Sequence, residues 1–281
     1  MAKLPFDIDL KGKVAVITGG GGVLCSAFAK TVAQCGAKVA VLDLNQDAAQ
    51  KVADEIAAEG GEAIAVAADC LSVESLQKAA EEVEKRLGTP DILINGAGGN
   101  HPRGTTDDEQ LDPAAIGQVK TFFDLDPSGV QFVLNLNYMA TLLTTQAFAK
   151  NMAGRGGNII NISSMNAFRP LTKIPAYSGA KAAVSNLTQW MAVYFAKAGV
   201  RVNAIAPGFF VTNQNRALLF DESGKPTART DKILRATPMG RFGEAEELTG
   251  TLLWLLCDAA SGFVTGTVIP VDGGFSAYSG V

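Results

Sequence analysis

Short β-branched runs alternate with longer helical stretches along almost the whole chain, and this alternation constrains the fold more than any other feature. "VAVIT" at 14–18 is followed by a helical stretch from Val23 to Cys35 and then by "KVAVLD" at 38–43, which reads as a βαβ unit. The pattern continues with a helix over 46–59, the strand "EAIAVAA", a helix over 73–87 and "DILIN" at 91–95. Beyond it come a helix over about 129–153, "GNIINIS", a helix over 175–197, "RVNAIA", a helix near 244–257 and "TVIPVD". Continuous apolar strands between helices predict a parallel sheet covered on both faces. No Gly/Ser-rich or charged linker interrupts the series, so one doubly wound α/β domain over residues 1–281 is expected. Residues 99–128 and 208–236 break the rhythm after strand ends, where open α/β sheets place their substrate loops.

The composition, 47% hydrophobic and 19% charged over 281 residues, is that of a globular chain. A formal charge of −4 gives no electrostatic reason to expect nucleic acid or an anionic membrane as partner. The start, "MAKLPFDIDLKGK", lacks the apolar core of a signal peptide, and no segment approaches the roughly 18 apolar residues of a membrane span, so a cytoplasmic protein is expected. Cys25, Cys35, Cys70 and Cys257 lie far apart without metal-ligand spacing, so they read as structural thiols and no metal is expected.

Two places carry chemistry on their own spacing. In "TGGGGVLC" (18–25), Gly19 can turn sharply out of the strand, and the bare backbone through Gly21 and Gly22 can approach a pyrophosphate at a helix N-terminus. Asp43 closes the second strand, where a carboxylate can accept both hydroxyls of an adenosine ribose and would repel a 2′-phosphate, so NAD is expected over NADP. Asn45 suits the cap of the following helix. Downstream, "YSGAK" puts Tyr177 and Lys181 on one helical face, where a lysine ammonium is expected to lower the phenol's pKa for acid–base work on an alcohol or ketone.

"GNIINISS" ends at Ser164, thirteen residues before Tyr177. With the glycine loop and Asp43, this set resembles the short-chain dehydrogenase/reductase family over nearly the whole chain. The resemblance implies a Rossmann-like fold with a seven-stranded parallel sheet. It assigns proton transfer to Tyr177, nicotinamide-ribose binding and tuning of the tyrosine to Lys181, the carbonyl oxygen to Ser164, and a proton-relay water to Asn137. It also implies cofactor contacts from Val23 and Leu24 in the glycine loop, Asp69 and Cys70 of "AADC", Asn95, Gly96 and Ala97 of "NGAG", and Pro207, Gly208 and Thr212 of "PGFFVT". Two departures stand out: the family's Gly-x-x-x-Gly-x-Gly spacing falls on Gly19, Val23 and Cys25, and Gly96 replaces the second of two asparagines. Val23 is nevertheless expected to take ordinary helical dihedrals and offer its N–H to phosphate.

The polar stretches "GGNHPRGTTDDEQLD", "SSMNAFRPLTKIP" and "FFVTNQNRALL" offer His101, Arg103, Asn166, Arg169, Gln214, Asn215 and Arg216 beside Ser164 and Tyr177, a set suited to a polyhydroxylated acid. "NGAGGNHPRGTT", "SSMNAF", "APGFFVTNQNR" and "VDGGFSAYSGV" resemble the D-mannonate oxidoreductase (D-fructuronate reductase) branch of the family, which implies NAD(H)-dependent interconversion of D-fructuronate and D-mannonate. Gluconate, ketogluconate or polyol dehydrogenases share much of this lining. A nucleotide-sensing regulator without chemistry and a sugar-nucleotide epimerase are readings of other classes. The resemblance further implies a homotetramer built on the helices near 137–153 and 177–197 and on the last strand.

Overall fold

Seven strands, β1 (Val14–Thr18), β2 (Lys38–Asp43), β3 (Ala63–Ala67), β4 (Ile92–Asn95), β5 (Gly157–Ile162), β6 (Val200–Pro207) and β7 (Val268–Val271), form one sheet in a computed structural model that describes residues 8–212 and 215–280. Their order is β3-β2-β1-β4-β5-β6-β7, and every neighbouring pair is parallel. The chain order reverses between β1 and β4, which opens a crevice at the carboxyl ends of those strands.

Alternate strand residues serve opposite cores, as a pleated sheet buried on both faces requires. Ala15, Ile17, Val39, Val41, Ile94 and Ile160 pack with helices α1 (Val23–Gln34) and α2 (Gln46–Ala58) on one side. Val14, Val16, Ala40, Leu42, Leu93 and Ile159 pack on the other with α3 (Val73–Arg86), α5 (Ala140–Met152) and α6 (Pro175–Phe195). A shorter α4 (Pro127–Leu134) precedes α5, and α7 (Arg216–Leu219), α8 (Ala228–Ala236) and α9 (Thr249–Leu256) follow β6. Phe28 and Phe148 are fully buried, one in each layer. Truncating either to alanine would cost about 3–5 kcal/mol.

Local chemistry sets the helix starts. Asn45 caps α2 by accepting from the Ala48 N–H at 3.2 Å. Ser72 does the same for α3 through the Ser75 N–H at 3.2 Å. Pro127 stands in the first turn of α4 behind the cap Asp126.

The structure departs from expectation in three places. The helix expected over about 129–153 is α4 and α5 joined by a π turn at Asn135–Met139. Residues 99–128 hold three 3-10 turns, at Pro102–Gly104, Pro113–Ala115 and Phe122–Asp124, ahead of α4. Within 208–236 lies α8, capped by Thr227 with Asp231 in its first turn and Arg235 in its last, a capping pattern too short and polar to show as hydrophobic periodicity.

A polar ladder crosses the sheet inside the hydrophobic layers. Asn95 Nδ2 donates to Thr145 Oγ1 on α5 at 2.9 Å and to Asn161 Oδ1 on β5 at 2.8 Å. Asn161 Nδ2 donates in turn to Thr188 Oγ1 on α6 at 2.8 Å. Each bond nets only about 1 kcal/mol, yet orphaning one of these buried groups costs about 1–3 kcal/mol.

Among the described residues no helix is long and apolar enough to cross a membrane.

Candidate active site

The glycine run leaves β1 through Gly19, whose φ of +64° favours glycine. A Cβ there would lie 3.0 Å from the Ala97 N, so the exits of β1 and β4 abut. At Gly21 a Cβ would meet the Ala48 Cβ at 2.7 Å and Asp43 Oδ2 at 3.1 Å. Gly22 is the N-cap of α1, and no side chain caps that helix. Its first-turn N–H groups, beginning at Val23 and Leu24, are therefore left for an anion. Val23 opens the helix with ordinary dihedrals, since Lys173 is the sole non-glycine with positive φ among the described residues.

Asp43 sits beside this cradle at the end of β2. Its Oδ2 accepts the Gly21 N–H at 3.0 Å and its Oδ1 accepts the Asn45 N–H at 2.9 Å, so the carboxylate is fixed in place. Asp69 is exposed, with Oδ1 accepting the Leu71 N–H at 2.8 Å, and Ser72 rather than Asp69 caps α3. The lean backbone and the fixed carboxylate fit a dinucleotide along the carboxyl edge of β1, β2 and β4.

Four residues assigned to the cofactor from sequence have side chains or backbone N–H groups engaged within the protein. The Asn95 amide nitrogen is spent inside the sheet, as described. Cys70 is buried, and burial pushes its thiol up to about 11, so only its backbone could meet an adenine ring. Gly96 and Ala97 both donate their N–H groups to Thr18 Oγ1, at 3.1 and 3.3 Å. At the far end, Pro207 closes β6, Gly208 donates to the Val271 carbonyl at 2.9 Å, and the Thr212 N–H donates to Asn215 Oδ1 at 2.8 Å.

The four catalytic candidates converge on this edge. Lys181 is buried, and its Nζ donates to the Ile162 carbonyl at 2.8 Å while lying 5.7 Å from the centre of the Tyr177 ring. The Ser164 hydroxyl stands near enough to the Tyr177 phenol to lower its pKa. Asn137, in the π turn, is buried and donates to the Gly99 and Val133 carbonyls, both at 2.8 Å, while its Oδ1 accepts the Gly99 N–H at 3.2 Å. A Cβ on Gly98 would fall 2.6 Å from Asn137 Oδ1 and 3.2 Å from Lys181 Nζ, so these two groups flank the same backbone strip.

The electrostatics differ from the expected lowering of the phenol's pKa. Burial pushes Tyr177 up to about 12 despite the nearby Ser164 hydroxyl, and burial brings Lys181 down to about 8. Both groups are desolvated together, which favours the neutral phenol.

The substrate-facing candidates divide. Arg103 pairs with Asp126 Oδ2 at 3.3 Å and Ser128 Oγ at 3.2 Å, which compensates its charge. His101 Nδ1 accepts the Arg103 N–H, and its ring packs edge-on against Phe132 at 5.2 Å. Asn215 is used within its own turn, donating to the Phe210 carbonyl at 2.8 Å. Asn166 is buried with its Oδ1 lacking a partner, and its N–H donates to Ser164 Oγ at 3.2 Å. Arg169 and Arg216 are exposed with no carboxylate paired to them among the described residues, and Arg216 lies 5.7 Å from the centre of the Phe220 ring. Gln214 lies outside the described residues. Sequence reasoning missed the contacts that fix the 99–126 loop: the Thr106 N–H donates to the carbonyl of Lys173, whose φ is +71°, and Glu109 pairs with Lys232 of α8 at 2.8 Å.

The family model for enoyl-(acyl carrier protein) reductase matches residues 23–276. An uncharacterised oxidoreductase of Bacillus subtilis (strain 168), UxuB, is 53% identical over 279 residues, spanning 99% of this chain and 100% of that protein. The crystal structure of a proposed D-mannonate oxidoreductase from Haemophilus influenzae with bound NAD superposes with a TM-score of 0.94 at 60% identity, covering 99% of this chain and 100% of that one. A gluconate 5-dehydrogenase from Burkholderia cenocepacia, solved with NADP and tartrate, superposes with a TM-score of 0.82 at 31% identity over 98% of this chain and 99% of that one.

Proposed function

Because the chain belongs to the short-chain dehydrogenase/reductase family and is an oxidoreductase, we propose that it interconverts a ketone and a secondary alcohol on a sugar acid with NAD(H), the pair being D-fructuronate and D-mannonate. The observation that carries this reading is the convergence of Ser164, Tyr177, Lys181 and Asn137 beside the glycine cradle. The Haemophilus and Burkholderia structures, one a proposed mannonate and one a gluconate enzyme, support a sugar acid.

Gly19–Leu24 and Asp43 would hold the dinucleotide, which when bound would supply or accept the hydride. Tyr177 donates its phenol proton to the ketone oxygen in reduction and, as phenolate, takes the hydroxyl proton in oxidation. Ser164 holds that oxygen with its hydroxyl. Lys181, whose Nζ lies 5.7 Å from the centre of the Tyr177 ring, favours the phenolate to the extent that its amine is protonated. The family resemblance gives Asn137 a proton-relay water; its own side chain is buried and spent on Gly99 and Val133, so what it does directly is hold the Gly98–Gly99 backbone beside the reacting groups. Asn166, whose amide oxygen has no partner among the described residues, can accept a sugar hydroxyl, and Arg216 or Arg169, unpaired among those residues, can take the carboxylate.

Asp43 favours NAD, since its carboxylate leaves no counter-charge for a 2′-phosphate. The exposed Trp190, Val193 and Tyr194 on α6, with Phe263, support a homotetramer assembled through that face.

The test is a rate assay with NADH and NADPH over hexuronates, ketogluconates and neutral ketoses, with the Tyr177→Phe variant as control. Turnover of D-fructuronate above the ketogluconates is expected, with Tyr177→Phe inactive but still binding NADH. Equal activity in the variant would remove the tyrosine from its role, and preference for a ketogluconate would move the substrate.

A further inference from the structure

On this reading of the site as a dinucleotide-dependent dehydrogenase, we propose that Cys25 and Gly96 form a size-matched pair that positions the backbone strip Gly96–Gly98 against the catalytic groups. Cys25 lies in the first turn of α1, beneath the cofactor cradle, and is buried. A Cβ built on Gly96 would fall 2.1 Å from the Cys25 Sγ, a separation that no packed pair of atoms sustains. The thiol therefore occupies the space that a side chain at 96 would need.

Both positions depart from the pattern of the family that the chain resembles, and they depart in opposite directions. Cys25 is larger than the glycine that the loop spacing calls for, and Gly96 is smaller than the asparagine that the following motif calls for. In this chain the group that fills the space between α1 and the end of β4 is the Cys25 sulfur.

The strip behind this contact reaches the chemistry. Gly96 and Ala97 hang by their N–H groups from Thr18 Oγ1, and two residues on, Gly98 backs onto Asn137 and Lys181, where even a methyl group would fall 2.6 and 3.2 Å from their polar atoms. Pushing Gly96 away from Cys25 must shift Gly98 as well. Cys25 is thus a positioning residue that touches neither substrate nor reacting atoms. Burial pushes its thiol up to about 12, so it acts as a neutral space-filling group and not as a nucleophile.

A double-mutant cycle tests the pair. Gly96→Ala sets its methyl against the sulfur, while Cys25→Ala removes the sulfur and leaves the two Cβ atoms 3.6 Å apart, an ordinary contact. The remaining approach, 2.8 Å to the Thr18 carbonyl oxygen, is to backbone and forces a local shift with a cost of its own, so rescue will be incomplete. NADH affinity by fluorescence, KM, kcat and Tm are measured for the wild type, both single variants and the double variant.

Gly96→Ala is expected to weaken NADH binding at least about tenfold and to lower kcat, Cys25→Ala to change either by no more than about threefold, and the double variant to return to within about threefold of Cys25→Ala. Should Gly96→Ala fail to fold, a double variant that folds and binds NADH like Cys25→Ala supports the pairing equally. A double variant no better than Gly96→Ala overturns the pairing, and so does a double variant that regains Tm without regaining NADH affinity or kcat. Failure of the wild type itself to bind NADH would instead remove the dehydrogenase reading, which keeps the two failures apart.

Discussion

Replacing Asp43 with asparagine should change which dinucleotide the enzyme prefers. The carboxylate is half-buried and held by the Gly21 and Asn45 N–H groups at 3.0 and 2.9 Å, so its remaining lone pairs face the cradle at a fixed angle. The carboxamide of Asp43→Asn keeps the shape and one acceptor but loses the charge. A hydrogen bond to a charged acceptor is worth about 1.5–3 kcal/mol and one to a neutral acceptor about 0.5–1.5, so NAD should lose about 1–2 kcal/mol. That is a rise of roughly 5- to 30-fold in KM for NAD(H). For NADP the sign reverses. A unit charge about 4 Å from the carboxylate is repelled by about 4 kcal/mol at an effective dielectric of about 20, which partial exposure and salt reduce to about 1–2 kcal/mol. NADP(H) should gain about tenfold, and the ratio of kcat/KM values should move by about a hundredfold in its favour. Initial rates with NADH and NADPH at saturating ketone measure this, with Tm as control for the lost N–H acceptor. A ratio within about twofold of wild type in a folded variant would refute the role given to Asp43.

Three further outcomes follow from the same geometry. Arg216→Ala should raise KM for a hexuronate about tenfold or more while sparing its neutral analogue, whereas Arg103→Ala, whose charge is already met by Asp126, should raise it little; steady-state kinetics on the two substrates separate them. The buried Lys181, brought down to about 8, binds fewer protons folded than unfolded between about 8 and its ordinary 10.5, so its contribution to stability rises with pH across that window; Tm of the wild type relative to Lys181→Met should climb from pH 8 upward, and the alkaline limb of alcohol oxidation should move to higher pH in the variant. Arg241 holds Glu247 down to about 2 through bonds of 2.6 and 2.7 Å, so this pair stabilises above the unfolded carboxylate's 4.5 and the contribution fades as pH falls toward 2; Arg241→Ala should remove that part of the acid dependence of Tm.

The sheet was legible because its strands are continuous apolar runs separated by amphipathic helices, a signal that needs no knowledge of partners. The dyad spacing of Tyr177 and Lys181, and the position of Ser164 at a strand end, were legible for the same local reason. What escaped was set by contacts far apart in the chain. The pairing of Arg103 with Asp126, the inward turn of Asn95 toward Thr145 and Asn161, and the meeting of Cys25 with Gly96 each join residues 23 to 71 positions apart, with nothing in either local window to announce them. The π turn at Asn135–Met139 adds no breaker residue to a helical sequence, so it too left no mark. The pKa of Tyr177 was misjudged because proximity to a cation was legible and the depth of burial was not.

A sheet whose two faces are both buried has an ambiguity that a half-exposed sheet lacks. Sliding one strand past its neighbour by a single residue would exchange the contents of the two cores without exposing any of them to water, so hydrophobicity alone does little to forbid the slip. The buried asparagines supply what it lacks. Asn95 and Asn161 are partners across β4 and β5, and only in this alignment can one amide donate to the other at 2.8 Å. Asn203 on β6 does the same for the last strand, donating to the Val264 carbonyl at 3.0 Å and accepting the Thr267 N–H at 3.1 Å. Any slipped alignment would set a desolvated carboxamide against aliphatic carbon, so these few polar groups discriminate among alternative pairings more than they strengthen the chosen one.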